Sequence, residues 1–422
     1  MRVTLRRARD LDLRFTAPPS KSYTHRALIA GALAEGETVL RSPLVAEDTL
    51  RTLGALRALG VEITGDGDSL RIRGAAGRFP PGRPVTLDLG NSGTSLRLLS
   101  SVALLAHREV TLDGSPRMRE RPVGPLADAL SVLGGEVRYR DRPGYPPVTL
   151  RGTFRGGDVT VNGSISSQFS SSLLLAGPCG SEDLVIRIDP PPVSASYLDI
   201  TADIMTSFGG EVEREGYTLF RVRAGKGYRA MDYRVEGDYS SASYLLALAA
   251  VAGGRVTVEG LAPHSVQGDR MFLSILDDMG CRVRAEADSV TVERTGSLHG
   301  VEAEMARAPD TVMTVCAVAP FADSPTTLTG VGHLQYKESD RIRVMAERIR
   351  SLGGKVEVGD DRIRIIPAPL HGGTIDPAGD HRIAMAFAVI GLGAGGVTVE
   401  HAETVGKSFP GFWDQLQGAG LL

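Results

Sequence analysis

Three short segments of this chain combine hydroxyl, amide and basic side chains at spacings suited to holding an anion. Pro18-Pro19-Ser20-Lys21-Ser22 leads to Arg26, and Leu89-Gly90-Asn91-Ser92-Gly93-Thr94 leads to Arg97. Gly163-Ser164-Ile165-Ser166-Ser167-Gln168 repeats the small, polar pattern. Closely spaced Ser, Thr and Gly let phosphate oxygens approach the backbone. Helix starts at these points would add unpaired N–H groups and the positive end of a helix dipole. Full positive charge must come from other loops, and Arg121, Lys337, Arg341, Arg382 and Lys407 are the candidates. Guanidinium groups suit two-point contact with carboxylate or phosphate.

Each of these segments also has a plainer reading. A serine-rich helix start can be a cap and nothing more. Lys337-Glu338-Ser339-Asp340-Arg341 can be a solvated charge run. Asp380 can simply cap the apolar stretch after Asp380-His381-Arg382, with His381 a structural rather than a catalytic histidine. The serines form no GxSxG elbow or SxxK pair, so acyl transfer is not indicated. The glycine-rich loops match neither a P-loop nor a dinucleotide fingerprint, so no nucleotide cofactor is expected. The sequence suggests no metal site either.

The elements that must carry these segments are visible as a repeat. An apolar residue, a glycine, any residue, a charged residue and then Val or Ile recur at Leu59-Gly60, Leu133-Gly134, Phe208-Gly209, Met279-Gly280 and Leu352-Gly353. Successive glycines lie 74, 75, 71 and 73 residues apart. Phe272, Ile275, Leu276 and Met279 recur at helical spacing before Gly280, as do Ile342, Met345, Ile349 and Leu352 before Gly353, so each glycine should end an amphipathic helix. Lys355–Val358 and Arg362–Ile365 alternate about Gly359-Asp360-Asp361 and predict a β-hairpin. Polar helix starts recur near Ser20, Asn91, Ser166, Asp238, Asp310 and Asp380, at intervals of 71, 75, 72, 72 and 70.

Each copy therefore reads as helix, strand, helix, hairpin. The sixth stops early, its second helix near Phe412–Leu416, and Val3-Thr4-Leu5 is a candidate for part of the missing strands. Both chain ends should then share one domain: residues 1–16 with 230–422, around an inserted domain of residues 17–229.

With 47 basic and 50 acidic residues and a net charge of −3, the chain lacks the general positive field of a nucleic-acid or membrane-surface protein. Cys179, Cys281 and Cys316 are widely spaced and form no metal or redox motif, which fits a reducing cytoplasm. Met1–Phe15 has no apolar signal core, so no leader is expected. Ile383–Val399 is apolar but glycine-rich, and shorter than the ~20 residues of a membrane span.

Taken together these motifs resemble the EPSP synthase family (5-enolpyruvylshikimate-3-phosphate synthases). The resemblance runs in order from residue 18 to residue 410 and includes Arg119-Glu120-Arg121-Pro122 and Lys407-Ser408-Phe409-Pro410. It implies an α/β fold of two domains, each built from three βαβαββ units (an inside-out α/β barrel), with the active site in the cleft between them. The implied reaction moves the enolpyruvyl group of phosphoenolpyruvate to shikimate 3-phosphate, without cofactor. The protein would be a cytoplasmic enzyme of aromatic amino-acid biosynthesis, expected to be a monomer.

By the same resemblance Lys21 is shared between both substrates. Ser22, Arg26, Ser166, Ser167, Gln168, Ser194, Asp310, His333 and Lys337 meet shikimate 3-phosphate, with Tyr197 a nearby wall. Gly93, Arg121, Gln168, Arg341, Arg382 and Lys407 meet phosphoenolpyruvate. Asp310 matches the acid/base aspartate and Glu338 its partner carboxylate, so Asp310, Glu338 and Lys21 are the catalytic candidates.

Two positions depart from the family pattern. His333 stands where Asn is common and opens a pH-sensitive contact, and Leu98 stands where many members carry Pro. Gly93 is the small residue the family associates with glyphosate sensitivity, so inhibition competing with phosphoenolpyruvate is implied. Like charges lining one cleft should resist its closing until an anionic ligand arrives.

The rival within the fold is a UDP-N-acetylglucosamine enolpyruvyl transferase, opposed by Lys21-Ser22 in place of Lys-Asn and by the lack of a suitable loop cysteine. A non-catalytic anion-binding protein would not need Asp310 and Glu338 as well as Lys21 and Lys407. An RNA-processing cyclase is disfavoured by the negative net charge and by 5% aromatic content.

Overall fold

The five repeat glycines take φ between +82° and +103°, the left-handed region that a Cβ disfavours, and each helix before them stops there. The computed structural model describes residues 1–422. Its α-helices are α1 (Lys21–Leu33), α2 (Glu47–Ala58), α3 (Gly93–Leu104), α4 (Gly124–Val132), α5 (Gln168–Ala176), α6 (Ser196–Ser207), α7 (Tyr239–Ala252), α8 (Met271–Asp278), α9 (Val312–Val318), α10 (Arg341–Ser351), α11 (His381–Ala394) and α12 (Phe412–Gly418). Odd-numbered helices start at or just after the polar segments. Even-numbered ones end at the repeat glycines, apart from α12 of the sixth copy.

Every copy uses one strand pattern. A first strand pairs in parallel with the strand that follows the odd helix, which in turn pairs antiparallel with the second arm of a hairpin or, in the sixth copy, with the strand at the chain start. Val85–Asp88, Val110–Asp113, Val148–Gly152 and Gly135–Tyr139 are one instance. Lys355–Val358 and Arg362–Ile366 form the expected hairpin, with Val356 opposite Ile365. The sixth copy completes itself with the chain start: Val3–Leu5 lies antiparallel to Val397–Val399, Val3 opposite Val399.

The chain divides into two compact units, Pro19–Val235 and a discontinuous one of Met1–Pro18 with Glu236–Leu422. The second boundary falls at Val235, beyond the expected residue 229. The reason is register: Asp232–Arg234 pairs in parallel with Glu37–Arg41 and so supplies the first strand of the first copy. Likewise Leu11–Thr16 pairs with Gly254–Glu259 in the discontinuous unit.

In each unit three helices fill the interior, α1, α3 and α5 in one and α7, α9 and α11 in the other. Every residue of α7 is buried, so its sequence shows no polar face. Each of Leu245, Leu246 and Leu248 contributes about 1.5–3 kcal/mol by leaving water. Where these helices touch, hydroxyl pairs replace bulk, as in Ser101 Oγ to Ser172 Oγ at 2.8 Å and Ser243 Oγ to Thr314 Oγ1 at 2.7 Å. Small polar contacts let the helix starts converge within each unit. No helix is long and apolar enough to cross a membrane.

Candidate active site

Within Pro19–Val235 the polar segments open α1, α3 and α5. Ser20 occupies the cap position of α1, but its side chain makes no cap hydrogen bond. Lys21, in the first turn, lies 3.4 Å from Asp48 Oδ2 of α2. Arg26 is buried and fully engaged by neutral groups: Nε donates to Thr201 Oγ1 (2.8 Å), Nη1 to the Ser22 carbonyl (3.0 Å), and Nη2 to Ser171 Oγ (3.4 Å) and the Tyr197 carbonyl (3.3 Å). Burial pulls its pKa down to about 10, so it remains a cation at neutral pH.

The expected start at Asn91 is shifted by one residue, because Ser92 rather than Asn91 caps α3, accepting from Ser95 N at 3.3 Å. Asn91 serves otherwise: its carbonyl accepts from Arg121 Nη1 at 3.1 Å. Gly93 sits under that guanidinium so closely that an added Cβ would lie 2.4 Å from Arg121 Nη2. Gln168 Nε2 donates to Thr94 Oγ1 (3.0 Å), while Arg97 Nη1 donates to Gln168 Oε1 (2.9 Å). Ser166 and Ser167 are buried beside it. Ser194, also buried, has φ +57°, a strained choice for a serine that sites binding ligands tend to retain.

The discontinuous unit gathers a denser set. Asp310 does not cap a helix as its repeat position suggested. It lies in the 3-10 turn Pro309–Thr311 ahead of α9, which frees its carboxylate for two arginines. Arg341 Nη1 reaches Oδ1 at 3.0 Å and Arg382 Nη2 reaches Oδ2 at 2.7 Å. Arg341 also donates from Nη2 to Glu338 Oε2 (2.8 Å) and from Nε to Asp380 Oδ2 (2.9 Å). Lys407 Nζ lies 3.5 Å from Glu338 Oε1.

Three cations thus meet three carboxylates, with the Arg341 side chain only 2% exposed. Burial opposes its charge, yet Asp380, Glu338 and Asp310 outweigh that and raise its pKa. The solvated charge run is thereby excluded: Arg341 begins α10 and turns inward. Asp380 does cap α11, accepting from Arg382 N at 3.0 Å, and holds Arg341 with its other oxygen. His381 is fully buried on α11, the place of a structural histidine. Lys337 is half-buried and His333 buried in the turn preceding this motif. No group of three or more His, Cys, Asp or Glu side chains is placed to hold a metal ion.

The sequence model of EPSP synthase (3-phosphoshikimate 1-carboxyvinyltransferase) matches residues 5–416. The chain belongs to the EPSP synthase family. It is 57% identical over 422 residues to the 3-phosphoshikimate 1-carboxyvinyltransferase of Methanoculleus marisnigri, covering all of both chains. It is 42% identical over 403 residues to that of Serratia proteamaculans, covering 94% of each. The EPSP synthase structure from Acinetobacter baumannii superposes with a TM-score of 0.83 at 29% identity, over 100% of this chain and 98% of that one.

Of the departures from the EPSP synthase pattern, Leu98 continues α3 without the break a proline imposes, and its carbonyl accepts from Ser172 Oγ at 3.2 Å. His333 does not give the expected pH-sensitive contact near neutrality. Burial, aided by the neighbouring charge of Lys337, lowers its pKa to about 3. His25 is lowered to about 3 as well, again chiefly by burial. Between pH 6.5 and about 3 the unfolded chain therefore holds two protons that the folded chain lacks, so these groups cost stability as pH falls through that window. Urea midpoints should drop from pH 7 to pH 5, and His333→Asn should show a smaller drop. An equal drop in both proteins would contradict the buried, neutral His333.

Several members of the site were not singled out from sequence. Asp48, an acid in the first turn of α2, pairs with Lys21. Arg97 was noted within its motif, but its hold on Gln168 was not. Thr201, which anchors Arg26 across 175 residues, carries no sequence signal at all.

Proposed function

We propose that this chain transfers the carboxyvinyl group of phosphoenolpyruvate to the 5-hydroxyl of shikimate 3-phosphate, releasing phosphate. The observation that carries the reading is the buried set in which Asp310 and Glu338 share Arg341, with Arg382 and Lys407 against them. It joins proton-transfer groups to anion-binding groups, which simple anion storage would not require. The protein is taken to work as a cytoplasmic monomer on two small anions.

Addition forms the bond from the substrate oxygen to C2 while the hydroxyl proton passes to Asp310 and C3 gains a proton from Glu338 or Lys21. Elimination then breaks the C2–O bond to phosphate as C3 returns a proton, restoring the double bond in the product. Lys21, Arg121 and Lys407 stabilise the departing charge. An anionic ligand that draws Arg341 and Arg382 onto itself would leave Asp310 free to accept the hydroxyl proton. The clusters of the two units are taken to act on the same pair of substrates, with Ser166, Ser167 and Ser194 on the shikimate 3-phosphate side.

Gly93→Ala tests the phosphoenolpyruvate side. The new Cβ must displace the Arg121 guanidinium, so KM for phosphoenolpyruvate should rise on the order of 10- to 100-fold, with KM for shikimate 3-phosphate nearly unchanged. An unchanged phosphoenolpyruvate KM would remove Arg121 from that role. The reading as a whole is tested by mass analysis of the product. One carboxyvinyl ether of shikimate 3-phosphate should form per phosphate released, whereas phosphate release without that ether would mean plain hydrolysis.

A further inference from the structure

Within the first two turns of α1, α2 and α3 runs a chain of hydrogen bonds in which a single proton order satisfies every contact. Ser95 Oγ lies 3.1 Å from the Asp48 carbonyl oxygen, which can only accept, so the single proton of Ser95 points there. Ser95 must then accept from both of its other hydroxyl neighbours, Thr52 Oγ1 at 2.8 Å and Ser92 Oγ at 2.7 Å. Thr52, with its own proton directed at Ser95, must accept from His25 Nδ1 at 2.8 Å. His25 therefore carries its proton on Nδ1 and leaves a bare lone pair on Nε2, an atom that is buried and has no donor near it. The imidazole stays neutral because burial, the largest influence, disfavours its charge. Thr52 and Ser95 are fully buried and Ser92 nearly so, so water does not compete for these bonds.

The chain's ends matter because of what adjoins them. Asp48 is the partner of Lys21. Ser92 caps α3 immediately before Gly93, and the preceding Asn91 carbonyl seats Arg121. By contrast Arg26 is held by Thr201 and Ser171, outside the chain. We propose that His25, Thr52, Ser95 and Ser92 are positioning residues: a proton-ordered chain that fixes the start of α3, and with it Gly93 and the seat of Arg121, and so sets affinity for phosphoenolpyruvate rather than for shikimate 3-phosphate. The inference rests on the function proposed above and adds to it residues other than those assigned to either substrate.

The test is Thr52→Val against Thr52→Ser in the full-length chain, with thermal midpoints measured alongside. Valine keeps the shape but removes the hydroxyl, leaving His25 Nδ1–H without an acceptor and Ser95 with one donor, Ser92, in place of two. KM for phosphoenolpyruvate should rise about tenfold in Thr52→Val, with kcat and KM for shikimate 3-phosphate within about twofold, and Thr52→Ser should restore it. Should Thr52→Val fail to fold, Ser95→Ala is read by the same split in KM. Unchanged constants, or both KM values rising together with a lowered midpoint in the valine and serine variants alike, would overturn the proposal as mere packing. A wild-type chain that forms no product would overturn the parent reading, and this inference with it. An active wild type with no split overturns this inference alone.

Discussion

Asp310→Asn is expected to cut turnover by about 10²–10⁴-fold while leaving both KM values within about tenfold. The substitution keeps the side chain's shape, and an amide oxygen can still accept from Arg341 or Arg382, which now reach it at 3.0 and 2.7 Å. What it removes is the negative charge and the ability to take the hydroxyl proton. With one carboxylate fewer, the cations around it are less neutralised, so binding of an anionic substrate should hold or tighten. Turnover and affinity then move apart, which a defect of folding would not produce. Steady-state phosphate release with each substrate varied in turn measures both. An Asp310→Asn enzyme with turnover within threefold of wild type would remove Asp310 as the base. A large loss confined to KM would make it a binding group.

The second large effect concerns stability. Arg341→Met should destabilise the discontinuous unit by about 3–5 kcal/mol and abolish turnover, because it leaves buried Asp380 and the partly buried Asp310 and Glu338 beside one another without their shared cation. Asp380 is wholly buried and the Glu338 side chain 9% exposed, so water can compensate little. Arg341→Lys should fall between, since a single ammonium cannot reproduce three separate N–H contacts in one plane. Urea unfolding followed by a backbone signal measures the change, and added salt should alter it little because the pairs are shielded from solvent. A Met variant within about 1 kcal/mol of wild type would show that the carboxylates are relieved by protonation or movement, and that Arg341 is not the pivot of the cluster.

Much of the architecture can be read from spacing. Glycines recurring every 71–75 residues, each after an apolar helical stripe, mark helix ends whose φ values are positive. The early stop of the sixth copy points to Val3–Leu5 as its missing strand, which pairs with Val397–Val399. The second unit boundary was less legible, because Asp232–Arg234 is a three-residue strand whose place depends on a partner nearly 200 residues away. The basic residues and carboxylates of the site stand out as motifs. Their burial does not, because Arg341 and a solvated arginine look the same in sequence, and only the convergence of Asp310, Glu338 and Asp380 separates them.

Residues that act through others were the least visible. Asp48 opens α2 as many acids open helices. Thr52 sits in the apolar stripe of the same helix, where a threonine reads as a tolerated substitution. Ser95 and His25 follow their helix starts by a few residues and read as ordinary filler. Their hydrogen-bonded order emerges from three helices meeting, which no single periodicity encodes. The helix-start reading also misled at Asp310, where Pro309 favours a tight first turn and the aspartate is released from capping.

The measurement that bears most directly on the central claim is phosphate release from phosphoenolpyruvate, with shikimate 3-phosphate and UDP-N-acetylglucosamine offered separately as acceptors. The account predicts release with shikimate 3-phosphate and none with the nucleotide sugar. Release with the nucleotide sugar alone, or with neither in a folded protein, would contradict it.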